Sequence, residues 1–351
     1  MPPHATALVE SLDPAAVLPG GELRIRGRQL AEVGVAPEVR ITGSPAAVLV
    51  ATPRLLVARV PDGAVSGPVE IGRAADLPQG PALEVGVLIA EHLHPVCNPA
   101  IDPEGNIFAT LSGARGQKTP VSIYKLDGNF VLKSWSSAVM NPSGLAFDRS
   151  GTLFASSRHD GSVYRLSSNG AATLVAEGLG IATGIAFDAA GDLYVGDRSG
   201  TVFKIDSERN TFVFATLEPS VAAYHLAFGP DRHLYVSGPS TSSYDTIWRI
   251  SPTGRVAPFF RGLGRPQGIA FDAGGSLYAV ASYQGRRGVV RISPTGRAAC
   301  VVSANNLVGL AFASRARGGN HPAALILATH NSLYSLAWPV PGQPLPPAAA
   351  A

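Results

Sequence analysis

Three observations predict an all-β fold, built as a small antiparallel sandwich followed by a ring of six four-stranded meanders. First, one phrase recurs: Pro142-Ser-Gly-Leu-Ala-Phe-Asp148, Ala182-Thr-Gly-Ile-Ala-Phe-Asp188 and Pro266-Gln-Gly-Ile-Ala-Phe-Asp272. Weaker copies are Asn98-Pro-Ala-Ile-Asp102, Tyr224-His-Leu-Ala-Phe-Gly229 and Val308-Gly-Leu-Ala-Phe312, and aligned positions 102, 148, 188, 229, 272 and 313 step by 46, 40, 41, 43 and 41 residues. A unit of that length cannot bury its apolar face alone and must stack on its neighbours. Second, strand-like runs ahead of the repeats alternate with Gly/Pro turns about every ten residues, the rhythm of a sandwich. Third, the sixth repeat runs out of chain after its third strand, while a match to the missing fourth strand stands before the first repeat.

In chain order, residues 1–73 form the sandwich. Its strands are Leu23-Arg-Ile-Arg26, Glu38-Val-Arg-Ile41, Ala47-Val-Leu-Val50, Leu55-Leu-Val-Ala-Arg-Val60 and Pro68-Val-Glu-Ile71. Residues 74–82, with Ala74-Ala-Asp-Leu-Pro-Gln-Gly-Pro81, carry both breakers and no periodicity, as a linker does. Residues 83–338 hold the repeats, each with strands a to d. In the second repeat these are Gly144-Leu-Ala-Phe147, Leu153-Phe-Ala-Ser156, Val163-Tyr-Arg-Leu166 and Ala172-Thr-Leu-Val-Ala176. Val87-Leu-Ile-Ala-Glu-His-Leu93 matches Thr173-Leu-Val-Ala-Glu-Gly-Leu179, so the first propeller strand is expected to complete the last blade against Leu333 to Trp338. Such an interlock joins the chain ends and removes an open sheet edge. Residues 339–351 read as a disordered Pro/Ala tail.

Composition narrows the classes. With 39 Gly, 29 Pro and 15% charged residues the 351-residue chain suits a turn-rich all-β protein. A formal charge of +3 gives no footprint for nucleic acid, and basic runs with aromatic interleaving are lacking, so that partner is not expected. No stretch approaches a membrane span. Cys97 and Cys300 fall in the first and fifth repeats, too far apart for a bridge. No basic n-region or apolar h-region marks a signal peptide, so a cytoplasmic location is expected unless a leader was removed. A monomer is expected.

Two resemblances add to this reading. Asp13-Pro14, Leu18-Pro-Gly-Gly-Glu-Leu-Arg-Ile-Arg-Gly27, Val60-Pro-Asp-Gly63 and Ser66-Gly-Pro-Val69 resemble the IPT/TIG family of immunoglobulin-like (Ig-like) domains, which implies a spacer or binding accessory. The a-strand phrase, with its Leu-Tyr-Val type of b strand, resembles NHL repeats and the six-bladed gluconolactonase/regucalcin-like propellers. The fold class is therefore an N-terminal Ig-like β-sandwich plus a six-bladed β-propeller.

Propeller ligands meet the channel mouth formed by the d-to-a and b-to-c connections. The residue before each repeat's Gly, or its equivalent, gives a ring of channel-facing candidates: Cys97, Ser143, Thr183, Tyr224, Gln267 and Val308. No carboxylate is among them. The gluconolactonase resemblance implies a divalent cation such as Ca2+, held by Glu, Asn and Asp at positions of this kind. Here the Glu position is Cys97, the Asp position Gln267, and Thr183 and Tyr224 fill the Asn positions, so the metal site does not carry over. A hard cation needs several oxygens, some of them charged.

The remaining candidates are spread around the same mouth. His94, His159, His225 and His330 fall in or beside the upper connections, where a cluster would bind a transition metal or act as a base. His225 replaces the usual Gly. The b-to-c connections carry Arg115, Lys118, Arg158, Arg198, Arg286 and Arg287 against Asp160, Asp197 and Asp245, a mildly positive rim suited to an anionic ligand. Tyr224, Tyr244 and Tyr283 add stacking surface. Turn acids gather on the opposite face. Asp148, Asp188 and Asp272 are expected to close a-to-b turns, and the third-position cations of the c strands (Lys125, Arg165, Lys204, Arg249, Arg291) to cover apolar surface with their stems. No catalytic grouping and no required cofactor is legible. The expected role is non-catalytic recognition of a small anionic or carbohydrate-like ligand, or of a protein, at the channel mouth. The alternative is a gluconolactonase-like hydrolase with a rearranged metal site.

Overall fold

The structure, a computed structural model, describes residues 7–32, 37–72, 80–114, 116–242, 244–313 and 323–344. Most of the expected linker, Arg115 and the end of the tail lie outside the described residues. Among the described residues all regular structure is β, and no helix is long and apolar enough to cross a membrane. The chain divides into two compact units. Unit 1 comprises Met1–Val87, Gly285–Val290 and Ala299–Asn305; unit 2 comprises Leu88–Gln284, Arg291–Ala298 and Asn306–Ala351.

In unit 1, Glu22–Arg28 pairs antiparallel with both Leu8–Asp13 and Leu55–Arg59, and Ser44–Ala51 pairs with Leu55–Arg59. Val39–Ile41 joins Ser44–Ala51 to Gly67–Ile71. The pairing thus follows one continuous path, and the two facing sheets expected of a sandwich are not shown. Alternation sets the core: Leu23 and Ile25, Val39 and Ile41, Leu56 and Ala58, Val69 and Ile71 all point inward. Ala82–Val85, three residues of which fall past the expected linker, pairs with Gly67–Ile71 and, in parallel, with Ala16–Val17.

Unit 2 holds the repeats, apart from the segments of the fifth that fall in unit 1. Five four-stranded sheets stand apart, not six. The fifth repeat's strands (Ile269–Phe271, Leu277–Tyr283, Arg286–Ile292, Ala298–Ser303) belong to a longer sheet instead. The reason lies in unit 1, where Val17 pairs in parallel with Ser303 and the Leu18 N–H donates to the Ser303 carbonyl at 2.9 Å. The d strand of this repeat therefore has a partner on its outer side, while the other d strands end their sheets.

Closure at the chain ends follows the expected pattern, with Val87–Glu91 the fourth strand beside Ser332–Ala337 in the sixth repeat. The Leu93 N–H donates to the Asn331 carbonyl at 3.0 Å. The a strands contact one another in a complete cycle: Ala100–Ile101, Pro142–Phe147, Ala182–Phe187, His225–Phe228, Ile269–Phe271, Leu307–Ala313 and back to the first. The arrangement is a β-propeller.

A repeated aromatic contact explains why successive repeats stack. The Phe ending strand a meets the second residue of strand b in the preceding repeat, edge to face: Phe147 on Phe108, Phe187 on Phe154, Phe228 on Tyr194, Phe271 on Tyr235 and Phe312 on Tyr278, with centroids 4.8–5.5 Å apart. Such pairs add about 0.5–1.5 kcal/mol beyond area burial. At the closing seam the equivalents are Ile101 and Ile326, in one core cluster with Ala90, Leu93 and Leu333.

The tail does not run free from residue 339. The Ala273 N–H donates to the Pro341 carbonyl and the Gln343 N–H to the Phe271 carbonyl, both at 2.9 Å. Residues 345–351 lie outside the described residues.

Candidate functional site

The candidate ring at the top of the channel is built differently from its sequence reading. Ser143 is buried and donates to the Ala182 carbonyl at 2.7 Å. Thr183 is buried, donates to the Gly196 carbonyl at 2.8 Å and accepts the Tyr224 N–H at 3.1 Å. The Tyr224 hydroxyl donates to the Glu218 carbonyl, and burial pushes its phenol above the usual range. Cys97 is a buried free thiol beside Thr110, pushed up to about 12 by burial. Gln267 is bonded through its backbone, its carbonyl accepting the Ser237 hydroxyl and its N–H donating to the Val280 carbonyl. Val308 packs in the closing core. Side chains of a strand alternate between the two faces of its sheet, and here each face is turned to a neighbouring repeat. The channel is lined by strand edges.

A cavity of about 290 Å3 follows these edges, lined by consecutive residues such as Leu145 to Phe147, Leu226 to Phe228 and Leu310 to Phe312. Arg149, Asp188 and the Gly342 to Pro344 segment line it at the a-to-b turn end. At the other end stand Gly144, Gly184, Gly268 and Gly309, with Asn98 and His225 in the equivalent positions. A Cβ on Gly309 would lie 2.5 Å from the Cys97 carbonyl oxygen and one on Gly184 2.4 Å from that of Tyr224, so these glycines permit backbone-to-backbone packing at the neck. Asn98 fills space that Gly268 and Gly309 leave, donating to the Ile269 carbonyl at 2.9 Å and accepting the Leu310 N–H at 3.1 Å. One side chain thereby ties the first, fifth and sixth repeats. Asn98→Ala strands both backbone groups and is expected to destabilise the protein by about 2 kcal/mol in chemical denaturation, with an unchanged m-value.

The upper rim scatters the other candidates. Arg158 and Arg198 are neighbours: burial, then the charge of Arg198, lowers the Arg158 pKa. Both guanidinium groups are engaged, Arg158 with the Gly113 carbonyl at 3.1 Å and Arg198 with the Ser220 carbonyl at 3.1 Å. They stitch adjacent repeats together. His159 and His330 are exposed. Tyr283 packs edge-on against Phe260 and accepts a bond from the Gln284 amide. His94 is exposed and bonded to the Ser112 carbonyl. The four histidines do not form a cluster among the described residues.

What the upper connections do assemble is an off-axis pocket on the fourth repeat. It measures about 340 Å3 and is lined by Glu218, Pro219, Tyr224, Gly238, Ser240, Ser242, Tyr244, Asp245, Thr246, Trp248 and Arg261. Tyr244 is 76% exposed, and Trp248 is half-buried. Asp245 is buried and bonded on both oxygens, Oδ1 accepting the Ser240 N–H and hydroxyl and Oδ2 the Arg265 N–H. Tyr224 and Tyr244 were legible as rim aromatics. Trp248 and Arg261 were not, because both sit in strands where the repeat pattern reads them as structural. The signal available was Ser240-Thr-Ser-Ser-Tyr244, a serine-rich b-to-c connection that the other repeats lack.

Comparison with solved structures places this arrangement. A protein whose description as a gluconolactonase is provisional matches at TM-score 0.60 and 18% identity, over 74% of this chain and 94% of that one. A protein of unknown function from Bacteroides thetaiotaomicron matches at 0.57 and 12%, over 95% and 98%. An auxiliary nutrient binding protein from Bacteroides ovatus matches at 0.54 and 14%, over 95% and 98%. The chain shares their β-propeller fold. At these identities the likeness speaks for fold alone. No family model matches the sequence, and no curated protein does.

The divalent cation implied by a gluconolactonase-like channel does not fit the residues present. The equivalent positions hold Cys97, Thr183, Tyr224 and Gln267, buried or bonded within the seams, and among the described residues no three His, Cys, Asp or Glu side chains converge as a metal requires.

Proposed function

We propose that this chain is a non-catalytic recognition protein that takes a small carbohydrate-like ligand in the pocket of the fourth repeat. The observation that carries this reading is the lining itself: Tyr224, Tyr244 and Trp248 beside the hydroxyls of Ser240 and Ser242, with Arg261 and Glu218 at hand. Sugars present apolar faces to aromatic rings and hydroxyls to polar groups, and a cavity of this size suits one or two rings. The locked state of Asp245 weighs against the hydrolase alternative, since a general acid or base needs a free oxygen. We further read the fifth repeat as the sixth sector of a six-bladed propeller. Residues 1–73 we read as an Ig-like accessory.

The test is a thermal-shift and calorimetric screen with neutral oligosaccharides, sugar acids and lactones. A native-state ligand must raise the melting temperature. A saccharide hit is expected, weakened about tenfold by Trp248→Ala or Tyr244→Ala, or by about 1.4 kcal/mol each. Lactone turnover abolished by Glu218→Gln would replace recognition with hydrolysis.

A further inference from the structure

The c-strand cations follow one pattern and break it at one place, at the turn end of the propeller. In four repeats the cation is engaged within its own repeat. Lys204 pairs with Asp192 at 2.7 Å, Arg249 with Asp231 at 3.2 Å and Arg291 with Asp272 at 3.7 Å, while Lys125 lies over the Phe108 ring at 5.4 Å. Arg165, in the second repeat, has no such partner among the described residues. Where the third repeat supplies Asp192, the second has Thr152.

Two further departures from the repeat fall at the same seam. The a-to-b turns carry Pro103, Ala189, Pro230 and Ala273 after their first residue, but the second repeat carries Arg149. Its Nε is shut off from solvent without a hydrogen-bond partner. The c-to-d turns of the second, fourth and fifth repeats place Gly170, Gly254 and Gly296 at φ +82, +81 and +79, whereas the first places Phe130 at φ +60 and the third Arg209 at φ +68, the one charged side chain of the five. A side chain in the left-handed region is disfavoured relative to glycine, so the arginine stands where the turn itself asks for none.

Arg149, Arg165 and Arg209 line one pocket of about 350 Å3, together with Ser150 and Ser207. Its two acids are turned into their own loops. Asp148 Oδ1 accepts the Ser150 and Thr152 N–H groups and the Ser150 hydroxyl, and Asp206 accepts the Glu208 and Asn210 N–H groups and the Asn210 amide. Three departures from the repeat, each a guanidinium with no carboxylate partner among the described residues, meet in one place. We propose that this seam between the second and third repeats binds a tetrahedral oxyanion, the phosphate or sulfate group of a small ester. Guanidinium forks match such oxyanions bidentately.

The proposal is tested on the full chain by thermal shift and calorimetry with inorganic phosphate, inorganic sulfate and glucose 6-phosphate, against sodium chloride of equal ionic strength. At least one oxyanion is expected to raise the melting temperature beyond the chloride control. A larger rise with glucose 6-phosphate than with either inorganic ion places the anion on a sugar, and an equal rise makes the free ion sufficient. Arg149→Ala is expected to weaken binding at least tenfold. So is Thr152→Asp, which restores an acid for Arg165. Arg209→Gly is expected to weaken binding while raising the ligand-free melting temperature, which separates loss of the site from loss of the fold. Oxyanion binding that survives Arg149→Ala and Thr152→Asp unchanged overturns the site, as does the absence of any rise beyond chloride.

Discussion

Deleting residues 88–93 is expected to abolish the cooperative melt of the propeller. These residues carry most of the fourth strand of the sixth repeat, and with them go buried Ala90 and Leu93 and half-buried Ile89 from the closing core. Ser332–Ala337 becomes an open edge, and Ile107, Ile326 and Leu333 gain access to water. Each methylene taken out of the core is worth about 0.8 kcal/mol, and the lost ladder adds its hydrogen bonds. The sum is on the order of the 5–15 kcal/mol margin of a whole domain. At the closing seam Ile101 and Ile326 stand in place of the repeated Phe-to-ring contact, so that contact does not compensate there. Circular dichroism during heating checks this. A sharp transition within a few degrees of the parent protein would mean that the ring is held by its other seams.

That closure was legible because two segments far apart in sequence, 87–93 and 173–179, carry one pattern, and an unpaired strand edge is costly enough to demand a partner. The aromatic seams were present at five of the six junctions as the Phe near the end of strand a and the ring that is second in strand b. Two things were hidden. Pairing of Val17 with Ser303 depends on a two-residue strand, too short to show a period, and it draws the fifth repeat into a longer sheet. The Pro-rich composition of residues 339–344 likewise masks two backbone hydrogen bonds, which need no particular side chain.

The site was less legible, for a geometric reason. Counting one residue back from each Gly selects side chains that point at a neighbouring repeat, because a strand has only two faces and both are covered in a propeller. Ser143, Thr183 and Tyr224 thus became seam hydrogen bonds. The turn aspartates read correctly, since Asp148, Asp188 and Asp272 accept the N–H groups of their own turns. Departures from the repeat proved more informative than its conserved phrase within the chain. Asn98 and His225 at glycine positions, the serine-rich connection before Tyr244, and Arg149 and Arg209 in the turns each mark a place where packing alone does not account for the residue.

His225 gives such a departure a measurable consequence. It is 3% exposed, and burial lowers its pKa from 6.5 to about 4. Among the described residues no hydrogen bond or charged group offsets that burial, so the folded protein holds the imidazole neutral while the unfolded chain protonates it near 6.5. Between those values the unfolded state binds more protons, and stability must fall as pH falls. The loss starts near pH 6.5, reaches about 3 kcal/mol by pH 4, and levels off below, where both states carry the proton. Carboxylates act in a different window. Asp127, held low by the Lys133 ammonium, and Asp206, held low by the Asn210 amide, lose their stabilisation only as pH drops below the ordinary 3.8. Denaturation at pH 7 and pH 4 is therefore expected to differ by about 3 kcal/mol in the parent protein and by much less in His225→Gln, which fills similar space without titrating. An equal pH dependence in both proteins would move the effect to other groups and leave His225 as packing.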